Sequence, residues 1–110
     1  MTEVIASVQI IGVRSSGEKL PIVVSIGRPY INGSEPETWC CPVSVDPLYP
    51  KLADIAGSDS LQSFLLASRL ALSLLEGFKE EGGQLFHEDG TEFPLDAYGF
   101  HNPPAGRADA

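Results

Sequence analysis

The chain has 110 residues, 43% of them hydrophobic and 20% charged, a length and balance that suit one globular domain needing neither disulfides nor metal for its core. Seven basic residues stand against fifteen acidic ones, and the formal charge of -8 repels phosphate backbones and anionic lipid head groups while supplying no counterion release. Nucleic acids and membranes are therefore not expected as partners, and an aromatic share of 8% offers no stacking platform for bases.

The opening MTEVIASVQIIGVRSSG has no basic leader, and Glu3, Ser7 and Gln9 interrupt its apolar positions, so a signal peptide is not expected and the cytoplasm is the expected compartment. Residues 3 to 13 and 19 to 27 are rich in β-branched side chains and flank RSSGEK, which holds the Ser and Gly of a turn; together they read as a β-hairpin. Leu20, Ile22, Val24 and Ile26 alternate with Lys19, Pro21, Val23 and Ser25, the period of a half-buried strand. Val4, Ala6, Val8 and Ile10 complete the buried face. Ile5, Ser7, Gln9, Ile11, Val13, Val23 and Ser25 then fall on the other.

GRPYINGSEPE, residues 27 to 37, reads as a mobile surface loop, and TWCCPVSV as a third strand in which Pro42 marks an edge or a bulge. Cys40 and Cys41 are adjacent, so in an extended segment they point to opposite faces; two free thiols in a reducing compartment are expected. DPLYPKLADIAG reads as a connection, its prolines preventing an early helical start.

A helix of about 22 residues is predicted from Asp59, with Gln62, Arg69, Ser73, Glu76 and Glu80 on the solvent line. Leu61, Phe64, Ala67, Ala71, Leu72, Leu75 and Phe78 take the opposite, buried arc. Arg69, Glu76 and several serines exclude a membrane span here. Asp59 is the predicted N-cap, with Gln62 reaching back to the amide of Asp59 as in a capping box, and Gly82 or Gly83 supplies the left-handed stop. In QLFHEDGTEFP, Asp89-Gly90 is the pair a tight hairpin turn requires. The expected architecture is α+β, ordered β-β-β-α-β, with an antiparallel sheet of about four strands and one long helix across one face. It occupies residues 1 to 95 as a single domain, and residues 96 to 110 are expected to be a mostly disordered tail.

Candidate chemistry is sparse. The letters DSL at residues 59 to 61, ahead of a leucine run, match the attachment serine of acyl and peptidyl carrier proteins, which makes Ser60 a candidate for phosphopantetheine. Carriers are helical bundles, whereas every element before Ser60 reads as β, and a helix cap explains the same letters; the carrier reading is disfavoured. Cys40, Cys41, His87 and His101 lack the spacing of a zinc site. Cys41 with His87 forms a nucleophilic pair only if the fold brings them together. Glu88, Asp89 and Glu92 cluster around a Gly turn, where carboxylates are normally solvated. No glycine-rich loop precedes the helix to cradle a phosphate.

The ordered set IGRP at residues 26 to 29, WCCPV at 39 to 43, GSDSLQ at 57 to 62, GGQLF at 82 to 86 and EFP at 92 to 94 resembles a family of small bacterial proteins carried as a domain of unknown function. The resemblance spans residues 4 to about 95 and implies a fold boundary but no activity, cofactor or catalytic residue. The leading functional expectation is a non-catalytic protein-interaction module, forming a homodimer through the sheet face that the helix leaves uncovered, unless DAYGFHNPP folds over that face with Tyr98 and Phe100. The alternatives are a small-ligand binder or enzyme using Cys41 and His87, with Asp59 beside them, and the phosphopantetheine carrier at Ser60. No catalytic, cofactor-binding or metal residue is assigned.

Overall fold

A computed structural model describes residues 3 to 33 and 37 to 99. Strands β1 (Val4–Val13) and β2 (Lys19–Gly27) form the predicted hairpin, with Ile10 opposite Ile22 and Val8 opposite Val24. Its turn closes where the Arg14 amide donates to the Glu18 carbonyl at 2.8 Å, and Gly17 adopts φ 93°, a conformation that only glycine takes freely.

Beyond Gly27 the chain departs from the expected loop. Tyr30–Ile31 form a short strand, β3, which pairs with β4 (Trp39–Cys41), while β2 pairs with β5 (Val43–Asp46). The four segments are one long hairpin bent near its middle, at Gly27 to Pro29 on one arm and at Pro42 on the other. The Pro42 carbonyl still accepts from the Gly27 amide at 2.8 Å, so the bend keeps the arms joined. Pro42 thus divides the predicted third strand between two sheets, because a residue without an N–H cannot continue a ladder. Ile55–Gly57 add β6 beside β4, inside the segment expected to be a plain connection. Three residues are too few to display a period of two in the sequence.

Helix α1 (Ser60–Glu80) follows, and β7 (Gln84–Phe86) returns beside β1. The result is an α+β fold with an all-antiparallel four-stranded sheet in the order β5-β2-β1-β7, and a three-stranded sheet in the order β3-β4-β6 at one end. The helix spans both. It buries Ser63, Ala67, Ala71, Leu75 and Phe78 against Ile10, Ile22, Val24, Cys41, Val43 and Val45. The solvent line of Gln62, Arg69, Ser73, Glu76 and Glu80 is exposed as expected, but Leu61 is not in the core: it lies at the margin of the apolar arc and is 65% exposed.

The Asp59 carboxylate accepts from the Gln62 amide at 2.7 Å, as an N-cap should. The return contact differs from the expected box, since the Gln62 side-chain carbonyl accepts from the amide and hydroxyl of Ser58, at 2.6 and 3.0 Å, one residue before the cap. The helix ends at Gly82, φ 97°, whose amide donates to Lys79. Past β7 the chain turns at Asp89-Gly90 and comes back so that the Phe93 amide donates to the Leu85 carbonyl at 3.0 Å. Phe93 and Leu95 enter the core, and a short 3-10 helix (Leu95–Tyr98) stacks Tyr98 on Phe93 at 4.8 Å between centroids. Of the segment expected either to be disordered or to cover the open sheet face, Tyr98 therefore engages Phe93; Phe100 and the residues after it lie outside the described residues.

Two glycines separate tight packing from mere propensity. A Cβ on Gly57 would lie 2.5 Å from the backbone nitrogen of Ser63, whereas nothing stands within 4 Å of a Cβ on Gly77, in the helix. Chemical denaturation is expected to show Gly57→Ala destabilising by about 1–3 kcal/mol. Gly77→Ala is expected to stabilise by roughly 0.5–1 kcal/mol. A neutral Gly57→Ala would mean that the helix does not lie this close to β6.

Candidate functional site

The N-terminal half of β1 is the least covered part of the four-stranded sheet. Since the Arg14 amide bonds to β2's side of the hairpin, and β1 pairs with β2 in steady register from Ala6 to Val13, even-numbered residues of β1 direct their amides and carbonyls at β2. Odd-numbered residues direct theirs the other way. β7 uses that second edge only at Ile11 and Val13. Ser7 and Gln9 consequently present backbone donors and acceptors along an edge that no strand occupies among the described residues. Elsewhere the chain returns along the outer strands of this sheet, at Val45 of β5 through the Tyr49 amide on its carbonyl and at β7 through residues 91 to 93.

Beside this edge lies an apolar groove. The pairing of β1 with β2 shifts between Val4 and Ala6, leaving Ile5 as an extra residue. Alternation placed Val4 among the helix-facing residues and Ile5 on the opposite face; the bulge instead brings Ile5 to the helix side, where it lines the groove with Pro29, Trp39, Leu61 and Phe64. Val4 pairs with Gly27, one step past the Ile26 row, and so leaves the helix-facing set. Ile5 is 49% exposed and Leu61 65%. Leu61 also begins a second apolar surface along the helix with Leu65 and Leu66. The nearest charges offset each other, because Arg28 pairs with Glu3 at 3.6 Å.

The residues singled out for chemistry are not assembled into a site. Cys41 is fully buried where the two sheets meet, its thiol directed at the Gly27 carbonyl at 3.4 Å, and burial pushes its pKa up, with the Asp54 carboxylate adding to the effect. His87 follows β7, edge-on to Phe93 at 5.3 Å. β7 is three strand spacings from β5, the strand that continues β4, which separates the Cys41 and His87 positions by roughly 14 Å or more. Asp59 is engaged as the cap, and Ser60 is the first, exposed residue of α1, preceded among the described residues by strands alone. Cys40 is buried with a free thiol. His101 lies outside the described residues. Among the described residues, no three His, Cys, Asp or Glu side chains gather as metal ligands, and no helix is long and apolar enough to cross a membrane. Glu88, Asp89 and Glu92 remain at the turn, where the Thr91 hydroxyl and amide both donate to Asp89 and lower its pKa.

Tyr30 and Asp54 form a contact that the sequence did not signal. The Tyr30 hydroxyl donates to the Asp54 carboxylate on the side of the small sheet away from the helix, and this bond raises the Tyr30 pKa from 10.0 to about 12. The two residues are 24 positions apart and become neighbours only because β3 and β6 flank β4. Comparison with models of protein families, with curated proteins and with solved structures finds no match to this chain.

Because the folded pKa of Tyr30 is raised, its contribution to stability is intact below pH 10 and lost as the pH climbs toward 12. A spectrophotometric titration is expected to show a tyrosine ionising near pH 12, and Asp54→Asn to return that step toward 10; an unchanged titration in the variant would contradict the assignment. For Cys41, a thiol reagent at neutral pH is expected to label the native protein far more slowly than the denatured chain. Rapid native labelling of this residue would reopen the nucleophile reading.

Proposed function

We propose that this chain is a non-catalytic protein-interaction module that engages its partner through the edge of β1 and the adjoining groove. The observation that carries the reading is the juxtaposition of an unoccupied strand edge at Ser7 and Gln9 with a groove that exposes the large apolar residue Leu61. Strand edges recognise extended backbone by hydrogen bonding, and an adjoining apolar surface adds affinity by taking side chains from the incoming strand. The burial of Cys41 and its separation from His87 leave the enzyme and small-ligand reading without a supporting arrangement. The strands preceding Ser60 likewise leave the carrier reading without one.

The acidic balance of the chain supports a protein partner over nucleic acid or a membrane surface. Two buried, unpaired thiols fit the reducing bacterial cytoplasm, and membership in the family of small bacterial proteins indicated by the motif order belongs to the same proposal. The test is co-purification at native expression level with wild type and Leu61→Asp. The wild-type chain is expected to retain a stoichiometric protein partner, a differently tagged second copy included, which Leu61→Asp loses at an unchanged melting temperature. The reading fails if the partners are the same for both proteins.

A further inference from the structure

We propose that the occupant of this edge is a second copy of the chain, so that β1 of one protomer pairs antiparallel with β1 of its partner across a two-fold axis at Ser7. The proposal rests on the interaction-module reading and specifies its partner. Three features point to a second copy. First, an antiparallel edge is self-complementary: a two-fold axis at Ser7 makes the outward amide and carbonyl of Ser7 in one protomer meet those of Ser7 in its partner, and sets Val8 opposite Ala6 on either side of it. Second, the available length fits this register. β7 occupies the edge from Ile11 onward, and the bulge at Ile5 bends each strand out of the pair before it meets its partner's β7.

The third feature is charge. A molecule with a formal charge of -8 repels its own copies over most approaches, yet β1 carries no charged residue from Val4 to Val13, and Glu3 just before it is paired with Arg28. Copies can meet along this strand without setting like charges together. Edge strands that avoid self-pairing usually carry inward-facing charges, Lys or Pro, and residues 4 to 9, VIASVQ, have none of these. Pairing in this way extends the sheet from four strands to eight in the dimer and brings the Ile5, Phe64 and Leu61 groove of each protomer beside the pairing strand of the other. The outer sheet face is a weaker candidate for self-association. Its apolar members Ile11, Val13 and Val23 are half-buried, and a row of Ser7, Ser25 and Ser44 crosses it.

Light scattering on the full-length chain at micromolar concentration, with three substitutions, tests this. The wild type is expected to show the mass of a dimer. Ser7→Pro removes an amide directed at the partner, leaves the bonds to β2 intact, and is expected to give a monomer with unchanged helical circular dichroism. Ser7→Cys is expected to form an intermolecular disulfide under mild oxidation, because residues facing each other at a hydrogen-bonded pair lie about 5.5 Å apart between Cα atoms, within disulfide range. Gln9→Cys, displaced from the axis, is expected to cross-link far less. A dimer broken by Val23→Asp and not by Ser7→Pro would place the contact on the outer face and overturn the proposal. A monomeric wild type overturns it too, and hydrogen exchange then separates two cases. Fast exchange at Ser7 and Gln9 leaves the edge open to a different protein and the interaction-module reading standing, whereas slow exchange means the chain covers its own edge and both fail.

Discussion

Helix α1 and strand β6 approach so closely that a single methyl group at Gly57 would collide with the backbone of Ser63, at 2.5 Å from its nitrogen and 2.9 Å from its Cα. The inner face of the helix is made for this contact, with Ser63, Ala67 and Ala71 as its first three buried positions. Small side chains let the helix axis settle low over the junction of the two sheets, and the buried Ser63 hydroxyl is satisfied within the helix by donating to the Ser60 carbonyl at 3.1 Å. Larger residues enter only toward the other end, where Leu75 and Phe78 fill the space above Ile22 and Gly12. The seat of the helix therefore determines which part of the sheet is covered. At its N-terminal end the helix is held against β4 and β6, and Ile5, Pro29 and Leu61 are left around an open groove.

The bend at Pro42 is the second constraint, and it follows from the first, since a flat hairpin would not present two sheets to one helix. Gly27 and Pro42 stay joined by a hydrogen bond while the strands on either side turn into different sheets. Cys41, immediately before the bend, faces the core and is sealed by both sheets and the helix, which explains why its thiol packs with the core and has a raised pKa. Cys40 faces the other way and is covered in the small sheet. The opposite orientation of neighbouring strand residues accounts for both.

The open edge of β1 has a physical meaning of its own. Local returns of the chain meet β5 at Val45, through Tyr49, and β7, through Phe93, whereas none among the described residues meets β1 at Ser7 and Gln9. The open edge exists because β7 is three residues long against ten in β1. A longer return strand would have removed the edge and, with it, the only reason to expect a strand partner at Ser7.

The sequence alone determined the hairpin, the long helix, its cap at Asp59 and the turn at Asp89-Gly90, because each rests on a local signal: alternation, helical periodicity, a capping side chain, a turn pair. The same local reasoning failed at Tyr30–Ile31 and Ile55–Gly57, strands of two and three residues whose identity comes from the neighbours they pair with. It also failed at Ile5 and Leu61. Ile5 changed sides because a bulge breaks the period of two, and a bulge is a relation between two strands that neither one encodes. Leu61 lies at the margin of the apolar arc in the first turn of the helix, and whether such a marginal residue is covered depends on how the helix sits on the strands. The candidate surface is made of these two residues and an unpaired strand edge. Composition and local pattern specified the elements, while long-range pairing and the depth of the helix seat decided which of their apolar residues stayed exposed.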